Sequence, residues 1–219
     1  MANPTLSVVL APTPNSAVLP LALVDTDYLI DRSPYRSVEV LVVADEDVQA
    51  HFAIDRFAEF VPKLTIVPPE HVLDRARGTH RFVVDARCGL SSDAFDAAVA
   101  LLRKDHIPVG AVVLEPVSTL HRMLERITRG LITALRFRTD LSLPLPFGIV
   151  YTTEDIDPPT GRWEPVSFLL NTQHSGQPVR FVSVPGDGVM PRLRDYLRTW
   201  VSLITLRIAA RRASAELNR

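Results

Sequence analysis

Cysteine, glycine and long hydrophobic runs are scarce in this chain of 219 residues. A single cysteine, Cys88, excludes an internal disulfide and with it the class of small disulfide-stabilised domains. The apolar residues near the end of the chain are interrupted by Arg207, so they fall short of the roughly 20 residues that a membrane-spanning helix needs. Because the N-terminus also lacks the basic start of a secretory signal, we expect a cytoplasmic protein.

Net charge is also nearly absent, since 24 basic and 25 acidic residues give −1. This balance excludes the overall basic field that is typical of nucleic-acid-binding proteins. The arginines are nevertheless unevenly distributed, because residues 192–219 carry seven of them against Asp195 and Glu216. The hydrophobic fraction of 47% is sufficient for the core of one globular domain.

Short apolar runs alternate with longer amphipathic stretches over the first 138 residues. This rhythm predicts strands at 6–11, 37–44, 63–67, 80–86 and 109–115 and helices at 18–33, 45–60, 68–77, 91–106 and 118–137. Alternation of this kind predicts an α/β fold with one mostly parallel central sheet and helices on both faces. Such sheets place ligands at the carboxyl ends of their strands, which here are followed by the stretches 12–16, 44–47 and 85–91.

The rhythm changes after residue 138, where proline and turn residues become frequent. One strand at 147–151, a helix ending at Gly176, a strand at 178–185 and a long helix beginning at Pro191 are predicted there. We interpret the chain as one domain with three parts: a nucleotide-sugar-binding half (1–138), an acceptor-side half (139–190) and a basic amphipathic C-terminal helix (191–219).

The order of these pieces resembles the inverting family-2 glycosyltransferases of type-A fold, in particular those that load a sugar onto dolichyl or polyprenyl phosphate. The resemblance rests on four stretches: SVVLAPTPNSAVLPLAL (7–23), SVEVLVVADED (37–47), HRFVVDARCGLSSDAFDAAVALL (80–102) and the region from Gly161 to Ile208. It implies a Rossmann-like domain that binds a nucleotide-sugar. The nucleotide-binding residues that it implies are Pro12, Asn15, Asp45, Asp85 and Arg87.

The residues that would carry the chemistry depart from the family pattern. The family's Asp-x-Asp metal motif is Asp85-Ala86-Arg87 here, and a guanidinium repels a divalent cation. Arg87 offers an alternative, since it can contact a diphosphate directly in place of a metal. Aligned on Arg162-Trp163, the places of two family carboxylates are occupied by Val166 and Phe168, so no catalytic base is assigned.

These losses favour a retained fold with impaired catalysis, acting as a membrane-proximal binding or accessory subunit in polyprenyl-phosphate sugar or cell-envelope glycan metabolism. Two alternatives stay open: an active transferase that moves a sugar from a nucleotide donor to polyprenyl phosphate, using Mg²⁺ or Mn²⁺, and a nucleotide-sugar sensor without chemistry. If a metal binds, Asp85 is one candidate ligand, and Asp155 with Asp157 in the proline-rich loop is another.

The last predicted helix combines basic, aromatic and aliphatic residues. This composition is typical of a helix at a membrane interface, where aromatic rings lie at headgroup depth and arginines contact lipid phosphates. The residues predicted to contact an anionic membrane surface or a membrane protein are Arg194, Arg198, Trp200, Arg207, Arg211 and Arg212. The alternative is that the apolar side of the helix packs on the sheet and the arginines are merely solvated.

Overall fold

A computed structural model of the chain describes its sheet, two long helices and parts of further helices. The described residues are 5–11, 30–31, 34–35, 37–44, 64–68, 71, 75–85, 92–103, 109–116, 118–135, 146–153, 168–169, 172–173, 175–185, 193, 196–197, 199–205 and 207–208, with only the backbone of Asp85, Pro146 and Phe147. The strands are β1 (Leu6–Ala11), β2 (Val38–Val43), β3 (Leu64–Val67), β4 (His80–Asp85), β5 (Val109–Leu114), β6 (Pro146–Thr152) and β7 (Val179–Val184). The long helices are α1 (Ser92–Leu102) and α2 (Thr119–Ala134).

The strands form one sheet in the order β3-β2-β1-β4-β6-β5-β7. Neighbouring strands run parallel except at β6, which is antiparallel to both β4 and β5. The predicted α/β fold with a mostly parallel sheet is therefore confirmed. All seven strands lie within one or two residues of the sequence-predicted ranges, because continuous runs of β-branched residues are typical of strands buried on both faces.

Apolar side chains are buried on both faces of the sheet. Phe82 and Val84 of β4 belong to one cluster, in which Phe95 of α1 is also buried. Val83 points to the opposite face, where it joins a second cluster that includes Ile132 of α2. Successive residues of a strand project to opposite faces, so an uninterrupted apolar run supplies both clusters at once. Each such side chain contributes about 1.5–3 kcal/mol by leaving water.

The helical residues around 168–173 end where the sequence predicted. Gly176 has a φ of 78°, a left-handed conformation that glycine adopts without steric cost. The N–H of Gly176 donates to the carbonyl of Gln173 at 2.9 Å, and that of Gln177 donates to Thr172 at 3.2 Å. These bonds satisfy carbonyls at the end of the helix and turn the chain toward β7.

The amino-terminal edge of the sheet is closed by one carboxylate. Glu39 of β2 accepts hydrogen bonds from the Ser7 hydroxyl, from the Arg77 N–H and from the Gly78 N–H. The Gly78 N–H also donates to the Ser7 hydroxyl oxygen at 2.8 Å. This network fixes the segment that leads into β4, and it leaves no space for a side chain at position 78.

Helix α2 begins at an N-cap and carries one buried acid. The Ser118 side chain accepts a hydrogen bond from the N–H of His121, which satisfies one of the unpaired donors of the first turn. Glu125 is only 7% exposed. Burial raises the pKa of its carboxyl above the ordinary value, although the charges of Arg129 and His121 act to lower it.

We expect Gly78→Ala to lower the free energy of unfolding by about 1–3 kcal/mol, because the new Cβ would overpack the sheet edge. It would lie 2.6 Å from the backbone N of Ser7 and 2.9 Å from the carbonyl of His80. Gly130→Ala is the matched control, since nothing lies within 4 Å of its Cβ position in α2. Alanine there should raise the free energy of unfolding by about 0.5–1 kcal/mol. Urea denaturation measures both, and equal effects of the two substitutions would contradict the packing at position 78.

We expect Glu125→Gln to stabilise the protein at neutral pH. A carboxyl whose pKa is raised by folding costs stability as the pH rises from its ordinary pKa through the raised one. The amide carries no charge, so the advantage of the variant should disappear in acid, where both states of the parent are protonated. Denaturation at a series of pH values measures the difference, with the exposed Glu115→Gln as control. A difference that does not change with pH would show that burial does not control this group.

Candidate functional site

The chain reverses its direction of travel across the sheet between β1 and β4. From β1 it proceeds outward to β2 and β3, and it then returns to place β4 on the other side of β1. A crevice opens at such a reversal beyond the carboxyl ends of the two strands, and this is where ligands bind in open α/β sheets. The last residues of these strands, Ala11 and Asp85, lie side by side in parallel register.

Three of the predicted ligand-binding stretches therefore begin at one edge of the sheet. Pro12 follows Ala11, and Arg87 lies two residues beyond Asp85. In the neighbouring strand, the N–H of Ala44 donates to the carbonyl of Val67 at 3.0 Å, which extends the β2–β3 pairing to the residue before Asp45. The register thus brings the ends of β1, β2 and β4 together as the sequence predicted.

Most of the predicted site residues themselves lie outside the described residues. This applies to Pro12, Asn15, Asp45, Arg87, Asp155, Asp157, Arg194, Arg198, Arg211 and Arg212. Asp85 is placed through its backbone, at the end of the fourth of the seven strands in sheet order. The roles of all these residues in binding stay predictions.

The sequence directly after β4 is a poor match to the ligands that a divalent metal prefers. The sequence at the end of β4 supplies one carboxylate, Asp85, and places the permanent positive charge of Arg87 two residues away. Magnesium and manganese prefer several oxygen ligands, whereas a guanidinium adds repulsion. In the part of the chain that the structure describes, no group of three or more His, Cys, Asp or Glu side chains is arranged to hold a metal ion.

Phe168, which the resemblance aligns with a carboxylate of the family, lies in the core. Its side chain is 5% exposed, and its ring packs against that of Tyr151 with the centroids 5.1 Å apart. A carboxylate at this position would lie among apolar neighbours of the second core cluster, which also contains Leu169 and Leu203. The position therefore contributes to packing, and no base acts from it.

The start of α2 reaches the same edge of the sheet and carries a cluster of side chains that the sequence analysis did not predict. The N–H of Glu115 donates to the carbonyl of Val184 at 2.8 Å, so the chain leaves β5 beside the end of β7. There the hydroxyl oxygen of Ser118 lies 2.7 Å from Nδ1 of His121, whose ring is 6.4 Å from that of Tyr196. A serine at position 118, directly before the helix, is the signal that could have indicated the cap.

The C-terminal helical segment, meaning the helical residues described between 193 and 208, packs against α2. The indole N–H of Trp200 donates to the Thr128 hydroxyl at 2.8 Å, and the Thr128 hydroxyl donates to the carbonyl of Leu124. Tyr196 and Leu203 are buried, whereas Arg207 is half-buried. Packing on the sheet is thus observed for one side of this segment, and Trp200 uses its polar atom within the protein.

None of the helices, over the residues that could be searched, is long and apolar enough to cross a membrane.

Comparison with known proteins gives structural neighbours only. No family model and no curated protein sequence matches the chain. Glucosyl-3-phosphoglycerate synthase from Mycobacterium tuberculosis, solved with Mn²⁺, UDP and glucosyl-3-phosphoglycerate, aligns with a TM-score of 0.64 at 16% identity, covering 93% of this chain and 80% of that one. Mannosyl-3-phosphoglycerate synthase from Rubrobacter xylanophilus aligns with a TM-score of 0.66 at 16% identity, covering 99% and 76%. The chain has the type-A glycosyltransferase fold.

Proposed function

We propose that this protein binds a nucleotide-sugar at the crevice between β1 and β4 and that its transferase activity is impaired. It would act as a membrane-proximal binding or accessory subunit in polyprenyl-phosphate sugar or cell-envelope glycan metabolism. The observation that carries the binding site is the parallel register of Ala11 with Asp85 at the point where the strand order reverses.

The impaired activity is supported by the chemistry of two positions. Departure of a nucleoside diphosphate requires positive charge to neutralise it, and Arg87 is the cation that the sequence offers beside Asp85. An arginine fork binds phosphate oxygens through two parallel hydrogen bonds, which suits binding of the diphosphate without a metal. At Phe168 a buried ring takes the place of a carboxylate, so the acceptor would find no base there.

An active transferase is the second candidate, and the neighbours support it. The M. tuberculosis enzyme was solved with Mn²⁺, UDP and phosphoglyceric acid together. Polyprenyl phosphate would attack through an anionic phosphate oxygen, and such a nucleophile depends less on a general base than an alcohol does. In this case Asp85 would have to hold the metal with ligands from other segments. A nucleotide-sugar sensor without chemistry is the third candidate, and it shares the binding site.

The place beside a membrane is supported by the arginines of residues 192–219. The C-terminal helical segment lies in the same part of the chain. Its described residues are buried on one side of the helix and exposed on another. Basic side chains near an anionic lipid surface contribute about 1 kcal/mol each.

We expect the protein to bind UDP and UDP-sugars equally well with Mn²⁺ and with a chelator, as measured by isothermal titration calorimetry. Arg87→Ala should weaken this binding about tenfold or more, since charge-assisted hydrogen bonds to the diphosphate are lost. Arg103→Ala is the control, because Arg103 is exposed after the far end of α1. Tight binding that requires Mn²⁺ and is lost in Asp85→Asn would contradict the metal-free site and favour the active transferase.

Catalysis itself is measured with radiolabelled UDP-glucose and GDP-mannose. We expect no transfer to a short polyprenyl phosphate or to phosphoglyceric acid above the rate without protein. Sugar transfer to either acceptor that is abolished by Asp85→Asn would contradict impaired catalysis and would show an active transferase. If the protein binds UDP but transfers no sugar, the accessory subunit and the sensor remain as candidates. Flotation with anionic vesicles separates them, because only the membrane-proximal subunit is expected to bind such vesicles.

A further inference from the structure

Glu115 is a charged residue that directly follows β5 at the carboxyl edge of the sheet. Its N–H donates to the carbonyl of Val184 at 2.8 Å, which continues the β5–β7 pairing by one residue and fixes its backbone. Its side chain is exposed. The side chains described at the ends of the other parallel strands are apolar: Ala11, Ala44, Val67 and Val184. Among the strand ends whose side chains are described, Glu115 alone therefore brings a negative charge to this edge.

The order of the strands places Glu115 on the sugar side of the proposed nucleotide-sugar site. Along the sheet the order is β2-β1-β4-β6-β5. The residues predicted to bind the nucleotide follow β1 and β2, whereas Arg87, which the proposed function assigns to the diphosphate, follows β4. The sugar is attached to the diphosphate at the end opposite to the nucleoside. A ligand that lies along the edge in this order extends its sugar from β4 toward β6 and β5.

The distance from β4 to β5 is suitable for such a ligand. Neighbouring strands are separated by about 4.8 Å, so β5 lies about 10 Å from β4 across the intervening β6. The flexible side chain of Glu115 projects from a fixed backbone position at that distance. A sugar whose diphosphate is bound at the end of β4 is therefore within reach of this carboxyl group.

The side chains around the end of β5 are chemically suited to sugar hydroxyls. A carboxylate only accepts hydrogen bonds, and hydroxyl groups donate to it in bonds that its charge strengthens. At the start of α2, Ser118 and His121 are half-buried and polar, with the serine hydroxyl oxygen 2.7 Å from Nδ1 of the histidine. A second carboxylate on the ligand would instead meet Glu115 as a like charge, which disfavours binding.

We propose that Glu115 is a specificity-determining residue of the nucleotide-sugar site. Its carboxylate accepts hydrogen bonds from the hydroxyls of an uncharged sugar and rejects a sugar that carries a negative charge. This inference rests on the proposed function, and it names the class of ligand more narrowly: a nucleoside diphosphate linked to an uncharged sugar.

Calorimetry with two ligands tests the role of Glu115. UDP-glucuronic acid differs from UDP-glucose by a carboxylate in place of a CH₂OH group. We expect the parent protein to bind UDP-glucose about tenfold more tightly than UDP-glucuronic acid, because like charges are brought together only in the second complex. In Glu115→Gln this ratio should fall below about twofold, since the amide carries no charge. In Glu115→Lys the preference should reverse, and UDP alone should bind equally to the parent and to Glu115→Gln.

The matched control is Asp31→Asn, which removes the charge of another exposed acid. Asp31 precedes β2, which enters the sheet at the opposite edge, so this variant should keep the ratio of the parent. Raising the salt concentration should narrow the ratio of the parent, because salt screens exposed charges. Urea denaturation shows whether each variant is folded.

The outcomes separate this inference from the proposed function. If UDP and both UDP-sugars fail to bind, the proposed nucleotide site is wrong and the role of Glu115 is wrong with it. If UDP binds but the parent does not distinguish the two sugars, only the role of Glu115 is overturned. An equal ratio in the parent and in Glu115→Gln also overturns it, because rejection by shape does not depend on this charge.

Stabilisation of α2 is a different role that Glu115 could serve, since the first turn of this helix carries no acid and its positive end favours one nearby. In that case Glu115→Gln lowers the free energy of unfolding and leaves the ratio of the two affinities unchanged. This result would overturn the specificity role and assign Glu115 to the helix.

Discussion

The parallel pairing of β1 with β4 is the constraint on which the rest of the arrangement depends. Residues of two distant segments, ending at Ala11 and Asp85, share one register across the centre of the sheet. If the register were displaced by one residue, the side chains of β4 would exchange faces, and Phe82 would leave the cluster that contains Phe95. Burial on both faces therefore fixes the register, and the register fixes where the following loops begin.

The sequence that follows this edge predicts anion binding, which is the basis of the proposed function. Nothing in the described residues assembles carboxylates around a cation, and the sequence after β4 supplies a guanidinium. Phe168 adds an independent indication, since its ring is packed against Tyr151 in the core. The chain has the fold of the type-A glycosyltransferases, and in the proposed function its side chains hold a nucleotide diphosphate without activating an acceptor.

Helix α2 connects this edge of the sheet to the C-terminal helical segment. Helix α2 starts with the Ser118 cap beside the carboxyl ends of β5 and β7, and its buried side packs on the core through Ile132. Its neighbour, the C-terminal helical segment, is held by the bond from Trp200 to Thr128. Both helices are consequently held by the same sheet that carries the crevice, since Ile132 and Leu203 belong to its second core cluster.

The sequence by itself determined the strands, the fold class and the end of the helix at Gly176. Continuous runs such as SVVL and FVVD predict buried strands, and glycine at a helix end predicts a left-handed turn. Strand order, the antiparallel insertion of β6 and the burial of Phe168 came only from the tertiary structure, because pairing partners are distant in the chain and local periodicity does not encode them. The same holds for α2 and the C-terminal helical segment: helical spacing shows an apolar side on each helix, but only their packing decides which residues are covered and which remain exposed.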